Sequence, residues 1–507
     1  MNVQELTAEL TEARILGASA VQISAICYDS RRVRPGSLFV AVPGFKVDGH
    51  DYLRDAVAGG AVALVVQANR HQLWEPFVKE ANVPAIVVDD TRRALAKLAA
   101  VFYGHPARKL GVIGVTGTDG KTSVVHLIAH VLAEAGEQAG LISTVGCEIN
   151  GELLPEEFHR TTPEALEVQA MLARMVEAGC RYAVIEATSH GLALHRLDNC
   201  EFDLAVMTNV GLDHMDFHGS REGYLAAKAR LFTMLDESAA KGIKKAAIFN
   251  ADDPFWQRVR QLTRAQALTY GINGRADVQG GRIERDGWGC RFRLIVGKAE
   301  ASVRLRVPGS FNVYNALAAT AVGLTLGIDL KAIVPALESW PGVPGRMEMI
   351  EAGQPFTVVV DYAHAPQALR RVLEYLRTVS RGRIIAVFGC IGERDKERRY
   401  PMGQIAAALA DYTIVCDDNS YGEDRYAIIE EIAQGLREAG KREGHDFALI
   451  PDRRQAIAHA LAMAVDEDVV LLAGKGHESR VYLDDSWYDC DDRETARQVL
   501  REMLARD

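Results

Sequence analysis

The sequence predicts an α/β protein of three domains: an N-terminal mixed α/β domain, a central domain on a parallel sheet, and a C-terminal doubly wound, Rossmann-like domain. Three observations carry this. At 507 residues the chain exceeds what one hydrophobic core supports. Apolar strand-like runs alternate with helical stretches over residues 110–338 and again over 357–472, the signature of parallel sheets with helical crossovers. Between these blocks, Trp340-Pro341-Gly342-Val343-Pro344-Gly345 is the clearest linker in the chain. The expected domains are 1–106, 107–338 and 339–507.

In the first domain, residues 36–42, 61–66 and 85–88 read as strands, with helices over 52–58 and 91–102. His105-Pro106-Ala107 breaks the pattern just before the next strand. The central domain continues with strands at 110–115, 182–185, 204–208 and 246–250. Residues 268–307 behave differently: the short alternating runs at 290–296 and 301–307 predict a small antiparallel insert or edge. After the linker, strands at 357–360, 384–388, 412–415 and 469–472 alternate with helices again.

Composition narrows the function classes. A net charge of −10 excludes a basic field for nucleic acid. The eight cysteines are scattered, with no CxxC pair, as reduced intracellular thiols are. The first 15 residues carry acids and no apolar run, unlike a signal peptide, and no stretch of apolar residues is long enough for a membrane helix. A cytoplasmic protein without membrane insertion is expected.

The chemistry begins at residues 111–123, Gly-Val-Ile-Gly-Val-Thr-Gly-Thr-Asp-Gly-Lys-Thr-Ser. An apolar strand runs into a glycine turn ending in Gly-Lys-Thr, with an apolar helix beyond it. That is the context of a P-loop, with Gly114 or Gly117 as its first glycine. The glycines let backbone N–H groups face phosphate oxygens, Lys121 reaches the β/γ-phosphates, and the Thr122 hydroxyl suits Mg²⁺. Two later strands end in hard ligands: Tyr182-Ala183-Val184-Ile185-Glu186, and the run through Thr208 followed by Asn209, Asp213, His214, Asp216 and His218. Ligands gather at the carboxyl ends of parallel strands, where Mg²⁺ takes oxygen donors. Taken alone, each set also reads as a polar strand end or loop. Lys228, on an otherwise apolar helical stretch, reads by spacing as a snorkelling surface lysine.

Taken together, these segments resemble the Mur ligases, ATP-dependent enzymes that add amino acids to the stem peptide of bacterial peptidoglycan precursors. The resemblance rests on Gly117-Thr118-Asp119-Gly120-Lys121-Thr122, Glu186-Ala187-Thr188-Ser189-His190, Thr208-Asn209 with Asp213-His214, Ala227-Lys228 with Leu231-Phe232, Phe311-Asn312-Val313-Tyr314-Asn315, and Asp361-Tyr362-Ala363-His364. Tyr28-Asp29-Ser30-Arg31, residues 36–41, Gly44 with Asp48-Gly49-His50, Arg160-Thr161-Thr162-Pro163 and Ser189-His190-Gly191 with His195-Arg196 are similar to the MurE type, which adds the third residue.

The resemblance implies a uridine-binding first domain and an acid–amino-acid ligase forming ADP by way of an acyl phosphate. Its implied place is peptidoglycan synthesis, and hence cell-wall biogenesis, cell shape and division. ATP would lie against Gly117, Thr118, Asp119, Gly120, Lys121, Thr122 and Ser123, with Asn312 and Asn315 on the adenine side and Arg346 and Asp361 from the third domain. Thr122 and Glu186 would hold one Mg²⁺. His214 and Lys228, the latter as a carbamate, would support a second; a carbamate turns a repulsive cation into a favourable anion there. Lys121, Glu186, His214 and Lys228 form the implied catalytic set. Ser30, Thr161, Thr162, Thr188 and Arg196 would position the UDP-muramoyl dipeptide. The partners are small molecules, and a monomer is expected.

The third domain would choose the amine donor through Arg394, Asp418, Asn419, Tyr421, Gly474 and Glu478. A forked guanidinium at Arg394 suits a carboxylate. Members adding meso-diaminopimelate usually carry Asp-Asn-Pro-Arg, whereas this chain has Asp418-Asn419-Ser420-Tyr421. A tyrosine has no positive charge to pair with a second carboxylate, so diaminopimelate, L-lysine and L-ornithine all stand. Glu423 and Asp424 could favour a distal ammonium, and otherwise form a solvated acidic loop. Asp119 and Leu194 also depart from the common Asn and Gln. A folylpolyglutamate-type ligase would lack the first domain, and a noncatalytic P-loop protein would have no need of all four catalytic residues.

Overall fold

The computed structural model describes residues 1–45, 47–154, 161–211, 215–393, 395–484 and 486–505, with the backbone alone at 215 and 216. His214, Asp213, Arg160 and Arg394, and the side chain of Asp216, lie outside the described residues. The chain forms two compact units, one comprising 1–286, 290–305 and 310–340, the other 287–289, 306–309 and 341–507. The main division, between Trp340 and Pro341, falls at the start of the proline–glycine linker.

The first unit holds two sheets. Strands Arg14–Leu16, Ala85–Val88, Ala61–Gln67, Ser37–Val40 and Ala25–Cys27 lie side by side in that order. Only the Arg14–Leu16 edge runs antiparallel. Leu38, Val40, Ala63, Val65 and Ile86 face one core, while Phe39, Ala41, Leu64 and Val66 face another with Trp74, as the two-residue strand period requires. The helix Thr91–Phe102 is capped by Asp90, whose side chain accepts from the backbone of Arg92 and Arg93.

The second sheet is larger. Its centre is Gly111–Thr116, flanked by Tyr182–Glu186 and then Ala139–Ile142 on one side, and by Leu204–Met207, Ala246–Asn250 and Gln266–Gly271 on the other, all parallel. Every residue of Gly111–Thr116 is buried, because helices cover both faces of the sheet. The expected antiparallel insert at 268–307 is the far edge of this same sheet: Gly289–Val296 and Ala299–Leu305 pair antiparallel beyond Val278–Asp286. Ala139–Ile142 was not legible in the sequence; four residues including a glycine give too short a run to announce a strand.

The second unit carries a six-stranded sheet in the order Glu348–Ile350, Thr357–Asp361, Val469–Ala473, Ile384–Phe388, Tyr412–Val415 and Phe447–Leu449. All but the Glu348–Ile350 edge are parallel. Leu369, Leu373, Met402, Ile428 and Ile432 cover one face; Ile457, Leu461, Ala496 and Leu500 cover the other. This is a doubly wound domain, as the alternation predicts.

Candidate active site

The glycine loop follows directly from the central strand. Gly117 has φ +151° and Gly120 φ +83°, and Gly120 leads straight into the helix Lys121–Glu134. A Cβ at Gly117 would fall 1.8 Å from Thr208 Oγ1, and one at Gly120 would fall 2.7 Å from Asn315 Oδ1. Both positions therefore need glycine for conformation and for space. The neighbouring strand end secures the loop. The Thr118 N–H donates to Asn209 O at 2.8 Å, the Asp119 N–H to Asn209 Oδ1 at 3.0 Å, and Thr208 Oγ1 to Asp119 O at 2.6 Å. The Asp119 side chain is exposed.

Glu186, at the carboxyl end of the adjacent strand, is only 2% exposed. Its Oε2 accepts from Thr122 Oγ1 at 2.9 Å and from both the N–H and Oγ1 of Thr144 at 3.0 Å. The P-loop hydroxyl and the strand-end carboxylate are thus brought together, 64 residues apart in sequence. Thr144 was missed from the sequence; its signal is its place just beyond Ala139–Ile142, next to Tyr182–Glu186 in the sheet. Thr144 also contacts Thr161, Oγ1 to Oγ1 at 3.2 Å. Lys121 Nζ donates to Thr118 O at 2.9 Å, and Ser123 is half-buried on the same first turn.

Lys228 is not a surface lysine. It is 1% exposed on the helix Arg221–Glu237, its ammonium donates to Gly117 O, and Nζ lies 4.2 Å from the centroid of the Tyr224 ring. The apolar face that suggests snorkelling turns inward here and carries the lysine to the base of the loop. Asn312 and Asn315 sit on the buried side of Ser310–Thr325, linked by a 2.9 Å hydrogen bond, with Asn315 beside Gly120.

The residues expected at the muropeptide form a second cluster in this unit. Thr162 Oγ1 lies 2.9 Å from Glu186 O and 2.8 Å from Thr188 Oγ1, and Thr188 caps the helix Ser189–Ala193 by accepting from the Gly191 N–H. Arg196 donates to Thr162 O at 3.0 Å and pairs with Glu164 at 2.7 Å. Ser30, itself half-buried, begins an otherwise exposed 3-10 turn capped by Asp29. Among the described residues no three His, Cys, Asp or Glu side chains gather as a metal-binding group.

The second unit has its own cluster of polar side chains. Asp361 is buried and accepts from the Met347 N–H at 2.8 Å; burial pushes its carboxyl up, against the pull of Arg346. Arg346 lies over the Tyr362 ring at 4.6 Å. Asn419 Nδ2 donates to Glu478 Oε2 at 3.1 Å, and the Asn419 N–H to Asp418 Oδ1 at 2.8 Å. Gly474, with φ +109°, lies against Asp418: a Cβ there would come within 3.3 Å of Asp418 Oδ2. Tyr421 has φ +50° and stacks on Tyr482 with ring centroids 5.8 Å apart. Glu423 corrects the sequence reading, being half-buried and paired, whereas Asp424 is exposed as a solvated loop acid is expected to be. Glu423 accepts a fork from the fully buried Arg399 at 2.8 and 2.9 Å, and Asp424 caps the helix Arg425–Glu438. The Arg399 fork holds the Glu423 carboxyl well below the usual range.

A strand, a glycine turn and a helix follow one another here, with the Thr122 hydroxyl on the first helical turn paired to the strand-end carboxylate of Glu186. The fold and loop define a P-loop enzyme of the α/β class. Comparison with known proteins then fixes the family. Residues 22–103 match the Mur ligase family catalytic domain, 115–323 the Mur ligase middle domain, and 345–476 the Mur ligase glutamate ligase domain. A UDP-N-acetylmuramyl-tripeptide synthetase from Roseiflexus sp. (strain RS-1) is 45% identical over 99% of both chains. A UDP-N-acetylmuramoyl-L-alanyl-D-glutamate–2,6-diaminopimelate ligase from Caldanaerobacter subterraneus subsp. tengcongensis is 40% identical over 96% of this chain and 97% of its own. A solved structure of a ligase of that name superposes with a TM-score of 0.66 at 30% identity, covering 99% of each chain. The chain belongs to the Mur ligase family. Among the described residues, no helix is long and apolar enough to cross a membrane.

Proposed function

We propose that this protein adds a diamino acid to the D-Glu of UDP-N-acetylmuramoyl-L-Ala-D-Glu, consuming ATP and releasing ADP and phosphate, in peptidoglycan precursor synthesis. The observation that carries this reading is an intact loop–carboxylate pair, Thr122 with Glu186, inside a chain that matches a tripeptide synthetase over 99% of both chains. The enzyme works in the cytoplasm as a monomer, with domains at 1–106, 107–338 and 339–507.

In this reading the loop amides from Gly117 to Ser123 and the Lys121 ammonium hold the ATP phosphates. Asn312 and Asn315 bound the adenine. Thr122 Oγ1 and Glu186 Oε2, 2.9 Å apart, are the hard oxygens that Mg²⁺ prefers, and one or two such protein donors suffice for it. His214 and a carbamate on Lys228 hold a second ion. Bound Mg²⁺ supplies positive charge to the phosphoryl oxygens.

Thr161, Thr162, Thr188 and Arg196 fix the muropeptide, and Ser30 its uridine end. The D-Glu carboxylate, a poor acyl donor, attacks the γ-phosphorus and ADP leaves, with Lys121 neutralising charge on the transferring group. The incoming amine attacks the acyl carbon of the resulting acyl phosphate. Phosphate is expelled, the amine loses a proton, and the amide bond remains. Arg394 holds the carboxylate of the amino acid, while Asp418, Asn419, Tyr421, Gly474 and Glu478 line the rest of its pocket.

The donor is diaminopimelate, L-lysine or L-ornithine, and the experiment is a competition. Phosphate release is measured with ATP, UDP-muramoyl-Ala-Glu and each diamino acid, in the natural chain and in Tyr421→Arg. The arginine variant should improve diaminopimelate relative to lysine by about tenfold, the worth of one charge-assisted hydrogen bond. Phosphate release independent of every amino acid would refute the ligase reading.

A further inference from the structure

Lys475 is fully buried, yet nothing in the proposed chemistry uses it. It follows the strand Val469–Ala473 between two glycines of positive φ, Gly474 at +109° and Gly476 at +55°. A Cβ at Gly476 would come within 2.8 Å of both Gly345 O and Tyr362 Cβ. This tight turn sends the ammonium inward. Its Nζ lies 2.9 Å from Glu478 Oε2, 3.3 Å from Asn419 Oδ1 and 3.8 Å from Asp418 Oδ1.

The partners come from two places. Glu478 is on the same turn, whereas Asp418 and Asn419 follow Tyr412–Val415, beyond the intervening strand Ile384–Phe388. Lys475 therefore ties two strand ends together across a third. Its charge persists there: burial pulls the ammonium's pKa down, but Asp418 and Glu478 outweigh it and raise it. The other buried charges nearby are already satisfied. Arg453 forks onto Asp492 at 2.6 and 2.7 Å, and Asp417 pairs with Arg425.

One consequence concerns Glu478. Its Oε2 is taken by Lys475 at 2.9 Å and Asn419 Nδ2 at 3.1 Å, which leaves Oε1 turned toward the Tyr362 hydroxyl at 3.5 Å. We propose that Lys475 is a positioning residue for the amine donor: by pinning one oxygen of Glu478 and joining it to Asp418 and Asn419, it presents the other oxygen to an ammonium group of the incoming amino acid. This inference rests on the ligase reading above.

The test uses the full chain carrying Lys475→Met, close in length but uncharged, and Lys475→Arg. Phosphate release gives KM for the amino acid and for ATP, and thermal unfolding reports folding. The methionine variant should raise the amino-acid KM about tenfold or more and leave the ATP KM within about twofold, because one partner of a buried charge pair is lost. The arginine variant, keeping charge but not length, should fall between the two; if the methionine variant does not fold, the arginine variant decides by the same split. A folded variant with both KM values unchanged, or both raised together, overturns the role of Lys475. A natural chain that shows no dependence on any amino acid overturns the ligase reading instead, and Lys475's role with it.

Discussion

Replacing Glu186 by glutamine separates what this carboxylate does for the fold from the metal role proposed for it. In the natural chain Oε2 accepts three hydrogen bonds, at 2.9, 3.0 and 3.0 Å, and the side chain is buried. Bonds to a charged acceptor contribute about 1.5–3 kcal/mol and neutral ones about 0.5–1.5. Glutamine keeps the acceptor and weakens each bond by about 1 kcal/mol, about 3 kcal/mol in all. In return it removes the desolvation cost of a buried carboxylate, which is several kcal/mol. The two effects offset one another, so stability in urea should change by no more than about 1 kcal/mol. Glu186→Ala has no such balance. It leaves the Thr122 hydroxyl and both Thr144 donors without their acceptor, at a net cost of about 3 kcal/mol or more. Both variants should lose the gain in nucleotide affinity that Mg²⁺ confers, by about tenfold or more, because a neutral amide is a poor ligand for a hard cation. Urea denaturation and nucleotide titration with and without Mg²⁺ measure the two effects. A glutamine variant retaining the full Mg²⁺-linked gain would refute the metal role; one as unstable as the alanine variant would refute the energy balance.

Two further perturbations bear on other parts of the molecule. Lys228→Ala should lower turnover by about 100-fold or more, with partial recovery in added short carboxylates that take the place of a carbamate; full activity without them would refute the carbamate role. Asp492→Ala strands Arg453, whose side chain is wholly buried and held by a 2.6 Å ion pair, so unfolding stability should fall by about 3–5 kcal/mol. A loss below about 1 kcal/mol would show that the guanidinium finds other partners.

Features legible from residue order lie close together in the chain. Gly117 to Ser123 are contiguous, and the conformations their glycines need are written in the residue types, so the amino-acid sequence alone reveals the phosphate loop. Glu186 is legible for a related reason: a five-residue apolar run ending in an acid announces a carboxylate at a strand end. The alternation of strands and helices indicates both parallel sheets and the linker between them, because period and punctuation are local properties.

Partner choice is not local, and there the sequence is mute or misleading. Lys228 reads as a surface lysine because helical spacing cannot say which face packs inward; only the sheet beneath Arg221–Glu237 decides that. Glu423 reads as an acid of a solvated loop or a partner for an ammonium, yet the buried Arg399 claims it. Thr144 carries no local signal, and the glycine-rich run around Lys475 does not show that its ammonium reaches Asp418 and Asn419, because both depend on strand ends distant in the chain. The sequence by itself therefore determined that a nucleotide's phosphates are held and, through its ordered motifs, which family the chain resembles. Tertiary structure alone decided which oxygen of Glu186 is occupied, which lysines are buried, and which acids around residue 420 are paired within the fold, because burial and hydrogen-bond satisfaction are settled only when distant strand ends meet.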